Sequence, residues 1–69
     1  MSDDFNMSMR KFLKQVGVTS QQEIEKAVRA AKAAGDLPEG ALNAKMTLTV
    51  DGVALTHVVE GKIEIGDIS

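Results

Sequence analysis

Ala44-Lys45-Met46-Thr47-Leu48-Thr49-Val50-Asp51-Gly52-Val53-Ala54-Leu55-Thr56-His57-Val58-Val59 is the stretch that decides the fold class. Ala44, Met46, Leu48 and Val50 alternate with Lys45, Thr47 and Thr49, the period of a half-buried strand. Asp51-Gly52 signals a type I′ hairpin turn. A two-residue loop there pairs Val50 with Val53, Leu48 with Leu55, Met46 with His57 and Ala44 with Val59. Turn and pattern then agree, because the apolar residues fall on one face. Beyond Val59 there are two options. The strand runs on through Gly61 with a kink, or Glu60-Gly61-Lys62 turns back into a third strand. A three-residue loop there pairs Val59 with Ile63 and His57 with Ile65. The three-strand meander is the preferred reading, since an isolated two-stranded hairpin is marginal in water.

Upstream the period is helical. Phe5, Met9, Phe12, Leu13 and Val16 recur at the spacing of one helix face, with Arg10, Lys11 and Lys14 on the other side. Asp3 and Asp4 sit where a helix start favours negative charge, Asp3 or Asn6 supplies the cap, and Gly17 suits a helix end. Thr19-x-x-Gln22 and Ser20-x-x-Glu23 both fit a capping box, so a second helix starts at Thr19 or Ser20. It carries Ile24, Ala27, Val28, Ala31 and Ala34 inward, pairs Glu25 with Arg29 outside, and stops at Gly35 before Pro38. Leu37 and Leu42 tuck under the loop that follows. The expected architecture is α+β, in the order α-α-β-β-β. Two N-terminal helices pack on a small antiparallel β-meander of two or three strands. Residues 1–69 form one domain, with a helical hairpin over 4–34, a loop over 35–43 and the meander over 44–65.

The run from Asn6 to Arg29, Asn-Met-Ser-Met-Arg-Lys-Phe-Leu-Lys-Gln-Val-Gly-Val-Thr-Ser-Gln-Gln-Glu-Ile-Glu-Lys-Ala-Val-Arg, resembles the opening of a family of short uncharacterised bacterial proteins. Met46–Val50 and Leu55–Gly61 are similar to it as well, so the likeness covers nearly the whole chain. Members of that family are domains of unknown function. The resemblance implies a complete natural protein of the bacterial cytoplasm, and it transfers no activity, cofactor, catalytic residue or binding residue.

Composition narrows the chemistry. The chain has 69 residues, no Cys, one His and a net charge of -2. Without Cys there is no disulfide, thiolate zinc site, Fe–S cluster or thiol nucleophile. With one His there is no His-pair metal site. No apolar run approaches the length of a membrane span, and the acidic opening Met1-Ser2-Asp3-Asp4 lacks the apolar stretch of a secretory signal. Neither GxGxxG nor GxxxxGK[ST] occurs, nor GxSxG, SxxK or a calcium-loop pattern around Asp51. The expectation is a protein that is not an enzyme, with no cofactor and no metal. His57, on the apolar strand face, is the one candidate for a pH-sensitive residue. The plainer reading is a partly buried sheet histidine, because Glu60 and Glu64 lie on the other face of a continuous strand.

Charge is unevenly spread. Arg10 to Lys32 has a net of +4, residues 1–9 carry -2, and residues 33–69 carry -4. Arg10, Lys11, Lys14, Lys26, Arg29 and Lys32 make one basic surface if two helices lie side by side. Such a surface suits phosphate contact with nucleic acid. A helix-turn-helix match fails, however. With Gly17 as its turn glycine, Leu13 occupies the small-residue position, and Glu23 rather than Ile24 falls at the buried position. No aromatic is left for base stacking. The leading expectation is a small cytoplasmic protein-interaction module without catalytic activity. It engages an unidentified protein partner or forms a weak homodimer through a sheet edge or outer sheet face. A nucleic-acid-binding accessory protein is the alternative, and no membrane association is expected.

Overall fold

The computed structural model describes residues 3–66. A single helix, α1 (Asp3–Ala34), spans the stretch expected to hold two. It is followed by β1 (Ala41–Thr49) and β2 (Thr56–Glu64), so the chain is α+β with one helix before two antiparallel strands. Met1 and Ser2, part of the acidic opening read above, lie outside the described residues.

The two-helix expectation fails at Gly17. Ending a helix there strands up to four carbonyls, and starting another strands up to four amides. Running through costs only the ~1 kcal/mol of one interior glycine. The capping-box residues are therefore used differently. The Thr19 hydroxyl donates to the carbonyl of Gln15, one turn back, at 2.7 Å. That is the bond of a mid-helix threonine, not of an N-cap. Gln21 Nε2 donates to Glu25 Oε1 at 3.2 Å, a neighbour pair on one continuous helix face.

The continuity has a measurable sign. Gly17 lies outside the left-handed region, and a Cβ added to it meets nothing within 4 Å. Gly17→Ala is expected to stabilise the chain by about 1 kcal/mol. A chemical-denaturation midpoint that fell instead would reinstate a helix end at that position.

The end of α1 agrees with expectation. Gly35 has φ 76°. Its N–H donates to the Lys32 carbonyl at 3.1 Å, and the Asp36 N–H donates to the Ala31 carbonyl at 2.9 Å. These two bonds make a Schellman motif, which satisfies carbonyls that the last turn leaves open.

The hairpin keeps the expected faces but shifts its pairing. Leu48 lies opposite His57, Met46 opposite Val59, Ala44 opposite Gly61 and Leu42 opposite Ile63. The expected register had Leu48 opposite Leu55 and Met46 opposite His57, two residues away on β2. The observed ladder sets Lys45 opposite Glu60 and joins Leu42 to Ile63. Such cross-strand pairs contribute roughly 0.2–1 kcal/mol each. The cost is a wider loop over residues 50–55. Asp51 and Gly52 turn the chain, but not as the expected type I′ turn: Gly52 is at φ 92°, whereas Asp51 is not in the left-handed region that a type I′ turn also requires. The Leu55 N–H donates to the Val53 carbonyl at 3.1 Å, closing a three-residue turn around Ala54.

Among the described residues the sheet has two strands and not three. Glu60-Gly61-Lys62 is not a turn. It lies within β2, opposite Lys45, Ala44 and Asn43. Turning back there would give up the rungs that carry Leu42, Asn43 and Ile63. For the same reason β1 begins at Ala41, inside the segment read as loop, and Leu42 is a strand residue rather than a loop anchor. Leu37 is half-buried.

The chain divides into two compact units, Met1–Leu37 and Pro38–Ser69. Among the described residues none is buried. The most sheltered are half-buried: Val16, Ser20, Val28 and Ala31 on α1, Leu37 after it, and Ala41, Leu42, Ala44, Leu48, Ile63 and Ile65 in and beside the hairpin.

Candidate interaction surface

The continuity of α1 joins two apolar segments into one stripe. At 100° per residue, Phe5, Met9, Leu13, Val16, Ser20, Ile24, Ala27 and Ala31 share a side, with Phe12 at its margin. Glu23, five turns from Phe5, lies at the same helical angle as Phe5 and so within the stripe. The stripe stays straight because its members recur every eleven residues: Phe5, Val16, Ala27, and again Met9, Ser20, Ala31. Eleven residues are close to three turns, so the drift is only about 20° per repeat. Sequence reading stopped the stripe at Val16 and restarted it at Ile24, on the strength of Gly17 and the capping box. The eleven-residue spacing was the signal that bridges the gap. The helix is about 48 Å long at 1.5 Å per residue, and its bulky apolar groups are open. Phe5 is 50%, Phe12 51% and Leu13 50% exposed.

The six cations lie on the other half of the same helix. They are not gathered by a helical hairpin, since there is none. Arg10, Lys11 and Lys14 form one group and Lys26, Arg29 and Lys32 a second. Lys14 and Lys26 are twelve residues apart, about 18 Å along the axis. Glu23 and Glu25 fall between the groups. The side-by-side basic surface expected above is thus replaced by two separated clusters along one helix.

In the hairpin, Leu42, Ala44, Met46 and Leu48 share a face with His57, Val59, Gly61 and Ile63. His57 is exposed, near the loop end of the ladder. Glu60 and Glu64 are on the opposite face with Lys45 and Ala41. Among the described residues no group of three or more His, Asp or Glu side chains is placed to hold a metal ion. No described helix is long and apolar enough to cross a membrane.

A family model, described as a family of unknown function (DUF6494), matches residues 1–66. The chain belongs to that family. The match takes in α1, its Gly35 cap and the whole described hairpin, so DUF6494 membership rests on both units. No curated protein and no solved structure matches the chain. The function of DUF6494 is unknown, and the family supplies no activity and no site residue to place on this geometry.

Proposed function

We propose that the chain is a small protein-interaction module without catalytic activity, working in the bacterial cytoplasm and docking through the apolar stripe of α1. The observation that supports this is the exposure of an apolar stripe, broken by Ser20 and Glu23, along a 32-residue helix, in a chain whose described residues include none that is buried. Stable helices in proteins draw most of their stability from a covered apolar face. Large exposed apolar surfaces mark sites of association. The nucleic-acid alternative is the weaker reading, because the cations stand in two clusters about 18 Å apart along the axis, with Glu25 between them on that half of the helix.

The test is site-specific photo-cross-linking in cells that produce the chain. A photoreactive phenylalanine analogue is placed at Phe12, on the stripe, or at Lys11, on the far side. A discrete protein adduct from position 12 and none from position 11 is the expected result. No adduct from position 12, or equal adducts from both, would sink the proposal.

A further inference from the structure

Independently of the α1 stripe, we infer that the outer edge of β2 pairs antiparallel with β2 of a second copy of this chain, about a two-fold axis at Gly61. The edge itself is the first observation. The sheet has two strands, and among the described residues no backbone hydrogen bond outside their ladder reaches β2. Alternate residues of a strand direct their N–H and C=O away from its neighbour. Thr56–Glu64 therefore presents a row of open donors and acceptors. A hairpin of two strands is marginal in water, and pairing through this edge makes it a sheet of four.

The charges identify the partner. An antiparallel self-pairing keeps the two faces of the sheet distinct only when one residue lies opposite its own copy. With Gly61 in that place, residues 58–64 of the two copies face each other. Glu60 then meets Lys62 and Val59 meets Ile63, and the two-fold axis repeats each contact. No neighbouring register does as well. Centred on Glu60, the strand sets that carboxylate against itself. Centred on Lys62, it opposes two lysines and also sets Glu60 against Glu64. Centred on Val59, it joins no opposite charges. Centred on Ile63, it joins Lys62 to Glu64 but pairs only residues 62–64. The edge of β1 has no such complement, because Lys45 is its one charged residue.

The existing ladder extends into the same pattern. Across one face run Lys45 and Glu60, then Lys62 and Asn43 of the second copy. Glu60 thereby gains a cation on each side, and Lys62, opposite Asn43 within its own hairpin, gains a carboxylate. Across the other face run Met46 and Val59, then Ile63 and Leu42 of the second copy, an unbroken apolar row.

Three measurements on the full chain decide it. Sedimentation equilibrium from low to several hundred micromolar is expected to reach twice the 7.4 kDa chain mass, with dissociation on dilution. Glu60→Lys alone and Lys62→Glu alone each oppose like charges on two rungs, and each is expected to weaken self-association about tenfold. An equimolar mixture of these two variants is expected to restore it, since the cationic edge of one meets the acidic edge of the other. Mixing does not rescue chains that fail to fold, so recovery reports pairing. Gly61→Cys, in a chain with no cysteine of its own, is expected to form a self-disulfide faster than Thr47→Cys on β1, because facing residues of antiparallel strands are within disulfide reach. Monomer mass throughout, or a mass that grows past two copies, would overturn the inference. So would a dimer that neither charge variant weakens, a mixture that does not recover, or equal disulfide rates at the two cysteines.

Discussion

Placing aspartate at both Leu13 and Val16 is expected to remove most of the helical circular dichroism at micromolar concentration. The two residues are at the middle of the stripe, next to the weakest part of α1. Val16, Gly17, Val18 and Thr19 are successive poor helix formers, together about 2–3 kcal/mol worse than alanine. That segment is held helical only if packing offsets its propensity. Each covered Leu or Val contributes about 1.5–3 kcal/mol. A carboxylate on the covered face adds a desolvation cost of its own. The control is Lys11→Glu with Lys14→Glu on the opposite side, which should leave the helical signal unchanged within error. If both double variants behave alike, nothing covers the stripe and the interaction reading fails with it.

Gly52→Val is the second large effect. Gly52 is at φ 92°, a conformation that a β-branched residue adopts only under strain. A loss of more than about 1 kcal/mol is expected. On a hairpin of two strands, marginal in isolation, that is enough to empty the folded state of the unit. Cross-strand contacts in the NMR spectrum, such as Met46 to Val59, should vanish. The same replacement at Gly61 is the comparison. Gly61 is in extended backbone within β2, and a Cβ there meets nothing within 4 Å. Gly61→Val is expected to stabilise by about 0.5–1 kcal/mol, through β-propensity and a lower-entropy unfolded chain. Equal effects at the two glycines would show that the loop does not turn at Gly52.

The contrast between glycines also explains what was legible in the residues. Gly35 was read correctly because a capping glycine followed by Pro38 leaves no competing solution. Gly17 was misread because local signals state what a helix end would need, not whether ending is worthwhile. The Thr19 and Ser20 pattern fits an N-cap well, yet the tally of stranded amides and carbonyls against one glycine favours continuation. Gly61 was misread for a related reason: the rungs beyond it, Asn43 with Lys62 and Leu42 with Ile63, outweigh its turn propensity. Alternation fixed the hairpin faces but leaves open registers that differ by two, and the observed one gains the Leu42–Ile63 rung. The six cations were correctly located in sequence. Their arrangement depended on the helix break that does not occur, so the surface first built from them dissolved with it. The apolar stripe, the stronger feature, was concealed by the same misreading.

The register difference in the hairpin has a wider meaning. Observed and expected pairings differ by a step of two, so both place Ala44, Met46, Leu48, His57 and Val59 together and Lys45, Thr47, Thr49 and Val58 apart from them. Parity, not pairing, therefore sets the chemical identity of each side of the sheet. The hairpin behaves like a vernier whose allowed positions all display the same two faces. A step of one on β2 would mix them, bringing Glu60 and Glu64 to the side held by Met46 and Leu48 and sending Val59 and Ile63 to the side of Lys45. Changes in strand alignment are thus graded in their consequences: even displacements are silent on the outside of the molecule, and odd ones rewrite it.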